Sequence, residues 1–386
     1  MQLQLPAPSV DAMMASRALQ TLIGNDIRHN SGWISFSRFM ELALYAPGLG
    51  YYSGGAAKLG KDGDFTTAPE ITPLFGQTLA HVAADLMAKT APQIIEFGAG
   101  TGKLAHDILT ELSAMGVPVH RYSIVELSGE LRARQKHTLR GFPQVNWLEQ
   151  FPAAFSGVVI GNEVLDAMPT HLVVKTQQGW KERGIGLAPK KFVYRDRVCE
   201  PWLTEQIPQA DALPVGYLTE VHPVSIGFMK SLSGMLRAGH ENTGHGAAAI
   251  LIDYGFPAHE YYLHQRSQGT LMCHYRHHAH TDPFYLPGLQ DITAHVDFSA
   301  IAGAATEGGL DILGYMSQAA FLLDAGIGDL LLRTPPTDKL RYLPQANAVQ
   351  KLTSPAEMGE LFKVLVVGKK VRLPEKFARS DRSHRL

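Results

Sequence analysis

The sequence predicts an α/β fold built on a doubly wound parallel sheet, and three observations predict it. From residue 93 onward, short apolar runs alternate with amphipathic stretches. The first run, "QIIEFG" (93–98), leads directly into glycines on alternate positions, and the next, "RYSIVEL" (121–127), ends on an acid at Glu126. Alternating strand and helix signals imply βαβ units with parallel strands, helices on both faces, and ligands at the C-terminal strand ends. At 386 residues the chain has room for such a sheet and for a large insertion or second domain.

Taken in order, residues 12–30 place Met14, Leu19, Leu22, Ile23 and Ile27 near helical spacing, which gives one amphipathic helix. A second helix starts at Ser35 or Ser37, either of which suits an N-cap, and stops at Pro47-Gly48. The glycine- and aromatic-rich stretch 48–76 reads as a long loop; a loop of that length inside a compact protein is usually functional or disordered, and the aromatics favour an ordered one. Residues 70–89 return to helix. After the first strand, "TGKLAHDILTELSAMG" is a helix ended by Gly116, and "SGELRARQKHTL" follows the second strand as another. "VNWLE" (145–149), "GVVIGNEV" (157–164), "AAAILIDYG" (247–255), "LDILGYMSQ" (310–318) and "KVLVVGKK" (363–370) are further strands. Residues 165–246 form an insertion of mixed strand and helix signals, and "SPAEMGELF" (354–362) reads as a helix.

Composition narrows the function classes. Lys plus Arg (35) balance Asp plus Glu (36), which argues against a dedicated nucleic-acid binder. The basic tail with Lys376, Arg379, Arg382 and Arg385 is expected to be a solvated terminus. Two distant cysteines, Cys199 and Cys273, imply no disulfide framework and suit a reducing compartment. The N-terminal stretch has the pattern of neither a secretory signal nor an Arg-rich transit peptide, and no apolar run approaches the roughly 18 residues of a membrane span. A cytoplasmic protein is expected.

The loop "EFGAGTGKL" admits three nucleotide readings. A Walker A loop needs glycine five places before Gly102 and a hydroxyl after Lys103, whereas Phe97 and Leu104 stand there. A dinucleotide fingerprint needs its third glycine where Lys103 sits. The remaining pattern, E-x-G-x-G-x-G, suits S-adenosylmethionine, which has no phosphate for an acid to repel. Glu96 can accept from its ammonium and Glu126 from its ribose hydroxyls, since an ionised carboxylate accepts from both. The structural alternative is a tight strand-to-helix turn with a solvated acid.

Other constellations sit at strand ends. Glu163 and Asp166, in "GNEVLDAMP", are paired acids of the kind that suits the planar fork of a guanidinium. For Asp166, capping of the next turn and substrate contact stand equal. Asp253 and Tyr254, ending "LIDYG", either line an acceptor pocket or begin a turn. His274, Tyr275, Arg276, His277, His278 and His280, with His295 further on, read as a polar hydrogen-bonded lid rather than a metal site. Asp64, Thr66 and Thr67 in "GKDGDFTTAPEI" offer oxygens to a cofactor, or simply cap the helix beginning near Pro69.

Together these segments, with "YYSGGAAKLGKDGDFTTAPEITPLFG", "QGTLMCHYRHHAHTDPFYLPGLQDITAHVDF" and "FKVLVVGKK", resemble the MidA-type SAM-dependent methyltransferases over about residues 17–375. The resemblance implies a class I (Rossmann-like) seven-stranded sheet whose last strand runs antiparallel. On it, residues 91–164 and 247–375 form the Rossmann-like domain and 165–246 a substrate-wall insertion. Residues 1–90 supply a helical segment and a cofactor-covering loop, and 376–386 a basic tail. It also implies SAM as donor and arginine of a protein as acceptor, giving symmetric dimethylarginine, with a respiratory-complex subunit as one candidate partner and a homodimer as one candidate state. The cofactor residues it implies are Glu96, Gly98, Gly100, Gly102, Glu126 and Leu148; Ala99, Leu127, Asn162, Asp64 and Thr66 are expected beside them. Glu163, Asp166 and Asp253 are the expected catalytic acids, and Tyr254, His274, Tyr275, Arg276 and His295 the expected substrate contacts. No metal is expected. A bacterial relative fits better than an organellar one. A small-molecule methyltransferase and a non-catalytic SAM-binding assembly chaperone are the competing readings.

Overall fold

The computed structural model describes residues 5–54, 67–126, 128–189 and 191–386. The chain forms two compact units. Met1–Phe65, Leu165–Gly227 and Ala258–Ala300 make the first; Thr66–Val164, Phe228–Pro257 and Ile301–Leu386 make the second. The sequence boundaries differ from these: 258–300 groups with the N-terminal segment, while 66–90 and 228–246 group with the strands from residue 93 onward.

The second unit carries the expected sheet. Its strands are β1 (Gln93–Phe97), β2 (Arg121–Val125), β3 (Val145–Leu148), β4 (Val158–Asn162), β5 (Ala247–Phe256), β6 (Asp311–Ser317) and β7 (Phe362–Lys369), in the order β3-β2-β1-β4-β5-β7-β6. Neighbours from β3 through β5 pair in parallel, and β7 runs antiparallel to both β5 and β6. That is the topology the resemblance implies, with the last strand antiparallel. The strand order reverses between β1 and β4, which puts the ligand crevice at their C-terminal ends. The central strands are buried on both faces, hence the continuous apolar runs rather than alternation. Helices α1 (Pro73–Met87) and α2 (Lys103–Ala114) cover one face with Leu79, Val82, Leu86, Ile108 and Leu112, packed over Ile94, Ile124 and Ile160.

The main sheet of the first unit is antiparallel. Gly179–Ala188 pairs with Ile34–Ser35, His171–Thr176 and Lys191–Val198, and Leu218–Val221 adds to His171–Thr176. Its core joins Leu19, Ile23 and Ile27 of helix Val10–His29 to Phe36 and Phe39 of helix Phe36–Tyr45, with Ile185, Cys273 and Ile292. Ser35 caps the second of these helices through the Arg38 N–H at 3.1 Å. The 165–246 insertion is therefore strand-rich up to Val221, followed by one helix, Pro223–Thr243.

Two sequence expectations need correction, and a third element takes a form the sequence left open. "SPAEMGELF" is not a helix. Ser354 ends the helix Lys339–Thr353, donating its N–H to Gln350 O at 2.7 Å, and Pro355 lacks the N–H to continue it. The His274–His280 stretch, expected as a polar lid, takes the form of a β-hairpin. Met272–Tyr275 pairs with His278–His280 across a two-residue turn, where Arg276 (φ 45°) and His277 (φ 65°) both take left-handed conformations. Such turns usually carry Asn-Gly, so the hairpin had no turn signature to read. The C-terminal tail is not a solvated terminus either. Phe377 is buried and stacks on Phe321 at 5.4 Å, Lys376 bonds Asp85 at 3.0 Å, and Arg382 bonds Glu360 at 2.8 Å.

Candidate functional site

The glycine loop begins where β1 ends. Gly98 (φ 66°), Gly100 (φ 51°) and Gly102 (φ 83°) all adopt left-handed backbone, a repeated requirement that explains glycine on alternate positions. Gly102 is also the N-cap of α2, and a Cβ there would lie 3.3 Å from the Gln135 backbone. Lys103 is turned along the helix onto Asp107, one turn on, so its charge is spent inside the helix. Thr101 donates to Glu70 at 2.6 Å, which ties the described part of the "TTAPEI" segment to the loop. Asp64, Thr66 and Leu127 lie outside the described residues.

Two acids flank this loop. Glu96 is almost fully buried and accepts from the Tyr122 hydroxyl at 2.7 Å. Burial raises its pKa to about 7; the Tyr122 bond opposes that shift and the nearby Glu126 charge adds to it. Burial, and then the Glu96 carboxyl, push the Tyr122 hydroxyl well above its ordinary range. Glu126, just past β2, accepts from the Ser128 N–H at 2.8 Å on one oxygen and from Gln135 Nε2 at 2.9 Å on the other. Leu148 ends β3, one strand further out. Gln135 lies on α3 (Gly129–Thr138) and escaped sequence reasoning, because a glutamine inside a helix carries no motif. Phe97, Phe151 and Phe228 escaped as well; they form an aromatic cluster with centroids 4.8 to 5.4 Å apart.

The ends of β4 and β5 make the second half of the site. Asn162 is buried; its Nδ2 donates to Glu163 Oε1 at 3.0 Å, and its Oδ1 meets no hydrogen-bond partner among the described residues. A buried acceptor left in this way is one that a ligand N–H or O–H would satisfy. Glu163 has φ 54°, a strained conformation for a residue with a side chain, and such strain concentrates at functional sites. Its N–H is held by Ile252 O at 2.8 Å. Asp253 stands behind it, with Oδ2 accepting from the Val164 N–H at 3.1 Å and Oδ1 from the Tyr254 N–H at 2.9 Å. Asp253 thereby holds the turn that carries Glu163, and Tyr254 packs edge-on against Phe362 at 5.3 Å. Asp253→Asn should cost about 1–3 kcal/mol in chemical denaturation, because one backbone N–H would then face an amide N–H instead of an acceptor.

The remaining sequence candidates belong to the first unit. Asp166 is buried, and its carbonyl accepts from the Ala294 N–H at 3.0 Å; a turn, not a helix, follows it. His274 sits on the central strand of the three-stranded sheet, where burial lowers its pKa. Tyr275 is buried against Tyr285, Arg276 donates to Ala7 O at 3.1 Å, and the His295 N–H donates to Thr270 Oγ1 at 3.0 Å. Sequence reasoning missed Tyr52 here, which donates to both oxygens of Asp291 at 3.0 and 3.1 Å. Among the described residues no three His, Cys, Asp or Glu side chains form a metal-binding group, and no helix is long and apolar enough to cross a membrane.

Residues 74–316 match the family model described as S-adenosyl-L-methionine-dependent methyltransferase. A crystal structure of a COG1565 superfamily member from Burkholderia thailandensis, bound to S-adenosyl-homocysteine, is 51% identical. It superposes with a TM-score of 0.93 over 99% of this chain and 100% of that one. Among curated relatives, the mitochondrial protein arginine methyltransferase NDUFAF7 of Danio rerio is 27% identical over 90% of this chain and 86% of its own length. The Homo sapiens protein of the same name is 28% identical over 86% of this chain and 79% of its own.

Proposed function

Because the chain belongs to this family of S-adenosyl-L-methionine-dependent methyltransferases, with S-adenosylmethionine as methyl donor, we propose that its acceptor is arginine in a protein. The observation that carries the proposal is Glu163, a carboxylate held in strained backbone at the end of β4, beside the cofactor crevice. The names of the NDUFAF7 relatives support the same acceptor.

In this reading the glycine loop, Ala99 included, lies along the methionine part, Glu96 takes its ammonium and Glu126 its ribose hydroxyls. Leu148 borders the adenine, and Asn162 Oδ1 gains a donor from the ligand. When bound, the cofactor supplies a methyl group on an electrophilic sulfonium. Glu163 accepts N–H bonds from the guanidinium, fixes its plane, and leaves one nitrogen exposed to that methyl; it then takes up the proton released. Asp253 and Asn162 hold Glu163 in place. The cytoplasmic location and a respiratory-complex subunit as acceptor belong to the same proposal.

The test incubates purified protein and methyl-labelled SAM with an extract from cells lacking the gene, then hydrolyses the precipitated protein and separates the methylarginines. Label in symmetric dimethylarginine is expected. Label only in small molecules, or no label from protein that binds SAM, would overturn the acceptor assignment.

A further inference from the structure

Gln135 is fully buried, and both ends of its amide are engaged. Nε2 donates to Gly100 O at 3.0 Å and to Glu126 Oε2 at 2.9 Å, while Oε1 accepts from Trp147 Nε1 at 2.9 Å. One side chain on α3 therefore ties together the loop after β1, the acid after β2 and an indole on β3. The amide has a single workable orientation. Turned over, its oxygen would face Gly100 O and the Glu126 carboxylate, and its N–H groups would face the indole N–H. The Glu126 carboxylate is thus gripped from two sides, by the Ser128 N–H on Oε1 and by Gln135 on Oε2.

We propose that Gln135 is a positioning residue for cofactor binding: it sets the plane of the Glu126 carboxylate so that the acid receives both hydroxyls of the cofactor ribose. This rests on the reading of Glu126 as the ribose acceptor. A carboxylate that receives paired hydroxyls must be held in one plane, and a rotating acid gives up part of that energy in ordering. No other residue type of this shape supplies two donors and one acceptor. Glutamate would place a second carboxyl against Glu126, where the pair can coexist only by sharing a proton. Methionine would fill the space without a hydrogen bond.

The test measures dissociation constants of S-adenosylhomocysteine and its 2′,3′-dideoxy analogue for wild type, Gln135→Glu, Gln135→Met and Glu126→Gln. For Gln135→Glu, the ratio of its constant for S-adenosylhomocysteine to that of wild type should grow at least about tenfold between about pH 6 and 8.5, as the shared proton is lost. A flat ratio would overturn the proposal. Gln135→Met should bind S-adenosylhomocysteine about tenfold more weakly. It should hold the dideoxy analogue as wild type does, and this comparison suffices if the glutamate variant does not fold. Equal weakening of both ligands would make Gln135 merely structural and would also overturn it. Glu126→Gln separates the two readings. If that variant still prefers the diol, the ribose assignment fails and takes this proposal with it. If it loses the preference while Gln135→Met keeps it, only the positioning role fails.

Discussion

Glu163→Gln is expected to bind S-adenosylhomocysteine as wild type does and to lose at least about a hundredfold in turnover. Glutamine keeps the size of the side chain and one oxygen for Asn162 Nδ2, so the turn should persist. What disappears is the negative charge that grips a guanidinium, together with the acceptor for its released proton. A companion substitution separates charge from backbone. Glycine adopts φ 54° without strain, so Glu163→Gly should raise stability by about 1 kcal/mol while abolishing turnover. Thermal melts and single-turnover assays on the two variants check both halves. A Glu163→Gln enzyme with unchanged turnover would remove this carboxylate from the chemistry, and an unstabilised Glu163→Gly would mean that the left-handed backbone carries little strain.

The sheet and half of the site were legible because they rest on local rules. Apolar runs of strand length mark β1, β4, β5 and β7, and glycines at Gly98, Gly100 and Gly102 mark a backbone that other residues avoid. Glu96 and Glu126 stand where strands end, so their placement followed from the strands. The features misread or left unread share a different cause, since each depended on contacts distant in sequence. Ser354 and Pro355 look the same whether they open or close a helix, and only packing decides. Arg276 and His277 turn a hairpin with no glycine because the pairing of Met272–Tyr275 with both His278–His280 and Asp291–Thr293 fixes the register. Lys376 and Arg382 find acids on Asp85 and Glu360, which a reading along the chain leaves unrelated. Gln135 and Tyr52 are the same case inside the two units: polar residues whose meaning lies in partners 9 to 239 positions away.

Affinity for S-adenosylhomocysteine should rise with pH up to about 7 and then level off. Burial lifts the Glu96 pKa to about 7, so below that value the free enzyme holds a proton on the group that the ligand ammonium needs ionised. Binding must then expel the proton, and affinity falls about tenfold for each pH unit below about 7. Stability of the ligand-free protein moves the opposite way. The folded pKa is raised above the ordinary value of 4.5, so the native state holds a proton that the unfolded chain releases between about 4.5 and 7. The contribution of Glu96, about 3 kcal/mol at its largest, is therefore fully present below that window and is lost as pH climbs through it. Glu96→Gln should flatten both profiles, binding ligand weakly at every pH and losing this part of the stability slope. Calorimetric titration between pH 5.5 and 8.5 in buffers of different ionisation enthalpy would count the proton released. A wild-type affinity that stays level across that range, with no proton released, would mean that Glu96 keeps one charge state throughout and does not meet the ammonium.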